Sequence, residues 1–266
     1  MKQVLMAAMM TLLLGTVSGT AVAQQAGTQE TTAEAGSETG SVDETIASLR
    51  ETLLQRMPDL QIDSINETVL PGIYELVSEA QIYYLSPDGK YMLDGSIINL
   101  EDRVNISDQR RGVLQLALLD DIPEDQMVVF DNESKDAERW ITVFTDSDCG
   151  YCQKLHREID EITQADIKVR YLLFPRAGMQ SESFRELQSV WCSTDQQSAM
   201  TVAKSGGTVE TLECENPIQA HVDLATRVGL RGTPLIFLDD GTKIPGYRPA
   251  DELIRLVKDS EPMAMK

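Results

Sequence analysis

The spacing of apolar residues along this chain changes period several times, and the changes divide it. Val42, Ile46, Leu49, Leu53 and Met57 recur at helical intervals, Ser41 and Glu44 stand where a capping box would, and Pro58 ends the run; together they predict an amphipathic helix. Over 68–100 the period shortens. Residues 73–77, 80–85 and 90–93 read as strands, with a further one at 97–100, and Ser86-Pro87-Asp88-Gly89 has hairpin turn chemistry. Helical spacing returns from a Ser107 cap through Val113, Leu114, Leu116, Ala117 and Leu118, and stops at Asp120-Asp121-Ile122-Pro123. Beyond that the pattern alternates. Strands are predicted over 127–130, 140–144 and 168–174, and helices over 149–163, 181–193, 195–204 and 217–228. A hairpin of 235–238 and 243–247 turns at Asp240-Gly241, and a last helix covers 251–258. Strand–helix–strand followed by hairpin and helix predicts an α/β fold, a mixed sheet flanked by helices.

Five segments follow. Residues 1–23, with Lys2, an apolar stretch from Leu5 to Leu14 and the small site Ala21-Val22-Ala23, read as a signal peptide cleaved near Ala23. Residues 24–41 read as a disordered acidic tail, since 24–40 hold three glutamates and nothing apolar larger than Ala. Residues 42–105 form a small α+β domain whose core is thin for independent stability, a shortage that pairing with a second copy would relieve. Residues 106–124 are a linker helix, and 125–266 a second domain. No later stretch suits a membrane span, so the mature chain is expected to be exported and soluble, without membrane insertion. Export makes disulfides permissible. Forty-three acidic residues against 23 basic ones, a net charge of −20, argue against nucleic acid and anionic membranes as partners.

The chemistry centres on TVFTDSDCGYCQKLH, residues 142–156. Cys149 falls where a strand ends and a helix begins, and a helix N-terminus favours a thiolate. Cys152 lies one turn further on the same face, so it can resolve a mixed disulfide formed by Cys149. Gly150 and Tyr151 between them add no charge. Asp146 and Asp148 would disfavour ionisation of Cys149; Asp148 is expected to face solvent, and Asp146 to hydrogen-bond the backbone in preference to moving protons. Half a zinc site is a rival reading. It lacks a second close-spaced pair, since Cys192 and Cys214 stand 22 positions apart, and His156 and His221 do not supply the usual spacing, which disfavours zinc without removing it. A purely structural Cys149–Cys152 bridge would close too short a loop to stabilise much. A Cys192–Cys214 bridge would close a helical insertion and contribute about 3 kcal/mol; it is favoured over a second redox pair, with two free thiols as the remaining alternative. Gly232-Thr233-Pro234 opens a strand, where proline costs no ladder bond, and composition alone favours a trans peptide. His156 reads as a solvated surface residue, His221 as structural.

ITVFTDSDCGYCQKLH, RYLLFPRAG, Trp191-Cys192, GTPLIFL and DGTKIPGYRP together resemble the DsbC/DsbG family of periplasmic thiol:disulfide interchange proteins. The likeness is dense over 127–260 and weaker over 42–120, where IYYLSPDGKYMLDGSIINL resembles the family's dimerisation domain. It implies a thioredoxin fold with a helical insertion, preceded by a cystatin-like dimerisation domain and a linker helix. It implies that Cys149 is the exposed nucleophile and Cys152 the resolving thiol, and that Cys192 and Cys214 form a structural disulfide. Gly150, Tyr151, Thr233 and Pro234 would support the site, with a cis peptide before Pro234. No metal and no cofactor are implied. The implied partners are a second copy in a homodimer, misfolded disulfide-containing exported proteins held as by a chaperone, and a membrane thiol reductase of the DsbD type. Gln153 departs from the family, which often has histidine there. The expected activity is isomerisation of wrong disulfides in the periplasm. The alternatives are a DsbG-like reductase protecting single cysteines from sulfenylation, and a non-catalytic chaperone.

Overall fold

A computed structural model describes residues 41–132 and 137–262; the signal and tail segments over 1–40 lie outside the described residues. Helix α1 (Val42–Arg56) opens with the capping box, the Ser41 hydroxyl accepting from the Glu44 N–H and the Glu44 carboxylate from the Ser41 N–H. It lays Leu49 and Leu53 on an antiparallel sheet of β1 (Ser64–Glu67), β2 (Tyr74–Ser78), β3 (Gln81–Leu85) and β4 (Met92–Leu93), in that order. Ile65, Tyr74, Leu76 and Leu85 complete this small core. β1 was not legible in the sequence, because Ser64-Ile65-Asn66-Glu67 is an edge strand with one buried apolar residue. The strand expected over 97–100 does not form. That segment folds back on its own continuation, with Ile98 bridged to Asn105 and the Asn99 N–H donating to the Val104 carbonyl.

Helix α2 (Ile106–Asp120) is capped by Asn105, not Ser107. Ser107 is instead buried, bonded through its hydroxyl to Tyr84 and to the Ile97 N–H. α2 touches both halves of the chain. Arg110 reaches Glu75 of β2 at 3.1 Å, and Gln115 donates to the Val228 carbonyl at 3.3 Å. Gly112 packs directly against the backbone of Gly241, which turns at φ +86°. Leu116 and Leu119 join Phe144, Leu172 and Phe237 in one face of the second core.

The second sheet has β5 (Val128–Phe130), β6 (Arg139–Thr145), β7 (Ile167–Leu173), β8 (Leu235–Leu238) and β9 (Lys243–Pro245), ordered β5-β7-β6-β8-β9. Only β6 and β7 run parallel, because a helical crossover joins them. That crossover was expected to be one helix over 149–163 and is two, α3 (Gly150–His156) and α4 (Ile159–Gln164). At the break the Glu158 carboxylate accepts from the Tyr247 hydroxyl at 2.6 Å and the Ala250 N–H at 2.8 Å, tying the crossover to the start of α8 (Ala250–Asp259). Between β7 and β8 lie α5 (Glu182–Cys192), α6 (Gln196–Lys204) and α7 (Ile218–Arg227). Cys192 and Cys214 are joined across this insertion, with Cα atoms 5.8 Å apart. Among the described residues, no helix is long and apolar enough to cross a membrane.

A Cβ added at Gly112 would sit 2.6 Å from the Gly241 carbonyl oxygen, so backbone must move to admit it. Gly112→Val is expected to destabilise the fold by about 1–3 kcal/mol. A urea midpoint matching the parent's would contradict this close approach.

Candidate active site

Strand β6 delivers the site. Its buried residues Ile141 to Thr145 fix the strand end, and the loop Asp146-Ser147-Asp148 then carries the chain to Cys149 at the N-cap of α3. Cys149 and Cys152 are free thiols. Cys152 is 1 % exposed and Cys149 3 %. The resemblance implied an exposed nucleophile; in this structure the Thr233 segment closes over it. The Thr233–Pro234 peptide is cis, where composition alone favoured trans, and the Thr233 carbonyl accepts from the Cys149 thiol at 3.3 Å. The Thr233 hydroxyl is buried without a hydrogen-bond partner.

The two sulfurs differ electrostatically. The Cys149 thiol is lowered from an ordinary value of 9.0 to about 5. The largest cause is a hydrogen bond from the Cys152 thiol, with the Cys152 backbone N–H and the Arg176 charge acting the same way, all against the opposing effect of burial. Cys152 moves the other way, raised chiefly by its burial and by the hydrogen bond that it gives to Cys149. The fold thus holds one sulfur ready to ionise and keeps its neighbour protonated.

The acids near Cys149 are accounted for. Asp148 is exposed. Asp146 hydrogen-bonds the backbone, as expected of a loop aspartate, and is besides 1 % exposed and paired with Arg176. It accepts from the Arg176 N–H and Nε, each at 3.0 Å, from the Asp148 N–H at 3.3 Å and from the Ser183 hydroxyl. A carboxylate so matched no longer opposes the thiolate. Arg176 also donates to the Asp148 carbonyl at 3.0 Å, and Gln153 to the Ser147 carbonyl at 2.9 Å, so both brace the loop.

His156 corrects another expectation. It is buried, its nitrogens 3.1 Å from the Tyr171 hydroxyl and 3.1 Å from Thr201 Oγ1, and burial drives it down to about 4. It faces the core because α3 packs against α6. His221 is fully buried, accepting from the Leu173 N–H at 3.0 Å and lying 2.9 Å from the Gln126 carbonyl. Every histidine nitrogen is thus engaged by another group of the chain. Among the described residues no group of three or more His, Cys, Asp or Glu is placed to hold a metal ion. Tyr151, 65 % exposed, stacks on Tyr247 beside the cysteines, with Lys154 over the same ring at 4.4 Å. Sequence reading missed Arg176, Ser183 and Lys204 at this site. The signal for Lys204 was its place on the face of α6 that carries Met200 and Ala203.

Because the folded state lowers the Cys149 value, ionisation contributes stability that is complete above the ordinary thiol range and is lost as pH falls through about 5. Alkylation of the reduced protein by iodoacetamide should reach half its maximal rate near pH 5, and Cys152→Ala should move that midpoint upward. A midpoint close to 9 in the parent would contradict the arrangement.

Comparison with known proteins gives these features a family. Residues 125–261 match the thioredoxin-like domain, and residues 26–108 match the disulfide bond isomerase protein N-terminal domain. The thiol:disulfide interchange protein DsbC of Dickeya dadantii (strain 3937) is 35 % identical over 213 residues, covering 79 % of this chain and 86 % of that protein. DsbC of Pasteurella multocida (strain Pm70) is 36 % identical over 197 residues, covering 73 % and 84 %. The crystal structure of a disulfide interchange protein from Neisseria gonorrhoeae has 27 % identity and a TM-score of 0.46, covering 52 % of this chain and 99 % of that one. The chain, a thioredoxin-like domain preceded by a disulfide-isomerase N-terminal domain, belongs to the DsbC family of thiol:disulfide interchange proteins.

Proposed function

We propose that this chain is an exported, periplasmic disulfide isomerase working through Cys149 and Cys152. The observation that carries the reading is the lowered Cys149 thiol above a protonated, buried Cys152. The Cys149 thiolate attacks one sulfur of a wrong disulfide in a client. That bond breaks, the other client sulfur leaves as a thiolate, and a mixed disulfide forms. The freed client thiolate attacks another client disulfide, and a later client thiolate displaces Cys149. Bonds are exchanged with no net oxidation. Alternatively, Cys152 attacks Cys149, forms the Cys149–Cys152 bridge and releases the client reduced by two electrons. A membrane reductase of the DsbD type would then return those electrons. Gly150 and Tyr151 flank the sulfur, and Thr233, before the cis Pro234, presents backbone to an extended client.

The first half of the chain supports pairing of two copies. Leu70, Tyr91, Met92, Leu93, Ile98 and Leu100 are exposed there, Leu100 by 84 %. β4 is an edge of its sheet, with its hydrogen-bonding groups open. Exposed apolar residues on an open edge favour a second copy as their cover. Two active sites facing a shared space would hold an unfolded client, which supports holdase activity. The domain limits 42–105, 106–124 and 125–266 and the cleavage site near Ala23 are part of this proposal, as is the structural role of the Cys192–Cys214 bridge.

Cys149→Ser should reduce recovery of scrambled ribonuclease to the uncatalysed background. Recovery at the parent rate would reject the nucleophile assignment. In sedimentation the parent is expected at twice the chain mass, and Leu93→Glu should shift it toward the single chain. A parent that sediments at the single-chain mass would remove the dimer.

A further inference from the structure

At the start of the loop that carries Cys149 lies a buried cation that the exchange described above does not use. Lys204, the last residue of α6, is 2 % exposed. Met200 and Ala203, on the same face of the helix, are core residues. An ammonium in such a place is costly unless it is hydrogen-bonded and meets opposing charge. Its Nζ donates to Thr145 Oγ1 at 2.6 Å and to the Asp146 carbonyl at 2.8 Å, at the start of the loop that leads to Cys149. The groups that act on its charge are Cys152, Asp146, Cys149 and Glu186, in that order. Asp146 already has Arg176, and Arg176 also acts on Cys149. Tyr171 turns its ring to Lys204 at 5.8 Å, and His156 beside it is neutral near pH 7. Glu186, half-buried on α5, acts on Lys204 least of the four and the Cys152 sulfur acts most, and Lys204 in turn favours the ionised form of Cys152.

We propose that Lys204 is a positioning residue for the second half of the exchange, its buried ammonium stabilising Cys152 as a thiolate when that sulfur attacks the mixed disulfide. The inference rests on the roles given above to Cys149 and Cys152. In the step, Cys152 loses its proton to solvent and attacks the Cys149 sulfur. The Cys149–client bond breaks, the client leaves as a thiolate with the electron pair, and the Cys149–Cys152 bond forms. Lys204 is not consumed. Burial lowers it from 10.5 to about 8, so the charge is present at neutral pH and fades above that value. The residue thereby sets how long a client stays on Cys149. A rapid escape favours release of a reduced client, and a slow one favours rearrangement.

The test is the two-phase reaction of the reduced protein with Ellman's reagent. Attack by Cys149 releases one thionitrobenzoate, and attack by Cys152 on the resulting mixed disulfide releases the second. Lys204→Met fills similar volume without charge. Its first phase should stay within about twofold of the parent, whereas its second should slow by about threefold for each tenfold loss of thiolate, because the remaining thiolate is more nucleophilic. That gap should be full at pH 6–7 and close above about pH 8, and the parent's own second phase should bend near pH 8. The bend needs no variant, so it stands even if Lys204→Met folds poorly. Equal slowing of both phases, an unchanged second phase, or a parent second phase with no bend overturns the role of Lys204. No first phase in the parent overturns the exchange reading itself, and this inference with it.

Discussion

The site depends on two sulfurs in one helical turn lying in different electrostatic environments. Cys149 sits at the N-cap of α3, where hydrogen bonds converge on it, and Cys152 sits one turn further into the same helix, where burial weighs more heavily against its charge. The same hydrogen bond that lowers one thiol raises the other. In the exchange proposed above, that asymmetry would set a direction, with the readily ionised Cys149 engaging a client and the protonated Cys152 answering. Without that hydrogen bond and the burial of Cys152, the two thiols would differ little.

The surrounding fold keeps that asymmetry from being cancelled. Two aspartates beside a thiolate would oppose it, yet one is exposed and the other is matched by Arg176 and Ser183. Gln153 and Arg176 hold the carbonyls of Ser147 and Asp148, so the loop presents Cys149 in one place. Thr233 closes the remaining side. Each contact comes from a different element: α3, the segment after β7, α5 and the start of β8. The long insertion between β7 and β8 is therefore joined to the chemistry through Ser183 and Lys204, besides packing the core.

Much of this was legible in the chain because it is local. The capping box at Ser41, the turn at Gly89, the Cys149-x-x-Cys152 spacing and the alternation after residue 127 depend on neighbours in sequence, and the structure shows the corresponding elements. What escaped depends on distant partners. β1 exists because Ile65 finds the α1 core, not because its own residues favour a strand. The break before α4 reflects Glu158 meeting Tyr247, 89 positions away. His156 read as a surface residue because nothing nearby announces Tyr171 and Thr201. Asp146 and Lys204 belong to the same class: a charge in the interior is intelligible only once its counterpart, far along the chain, has been placed.

The order of the cysteines carries one further consequence. Cys192 is bridged to Cys214, and Cys149 lies beside Cys152. Each pair consists of consecutive cysteines, so the Cys192–Cys214 loop neither encloses nor crosses the Cys149–Cys152 segment. Were a chain oxidised from its leading end, pairing each cysteine with the next would join Cys192 to Cys214, as in the structure. The bridge that the fold holds is thus the one that simple first-come pairing would give.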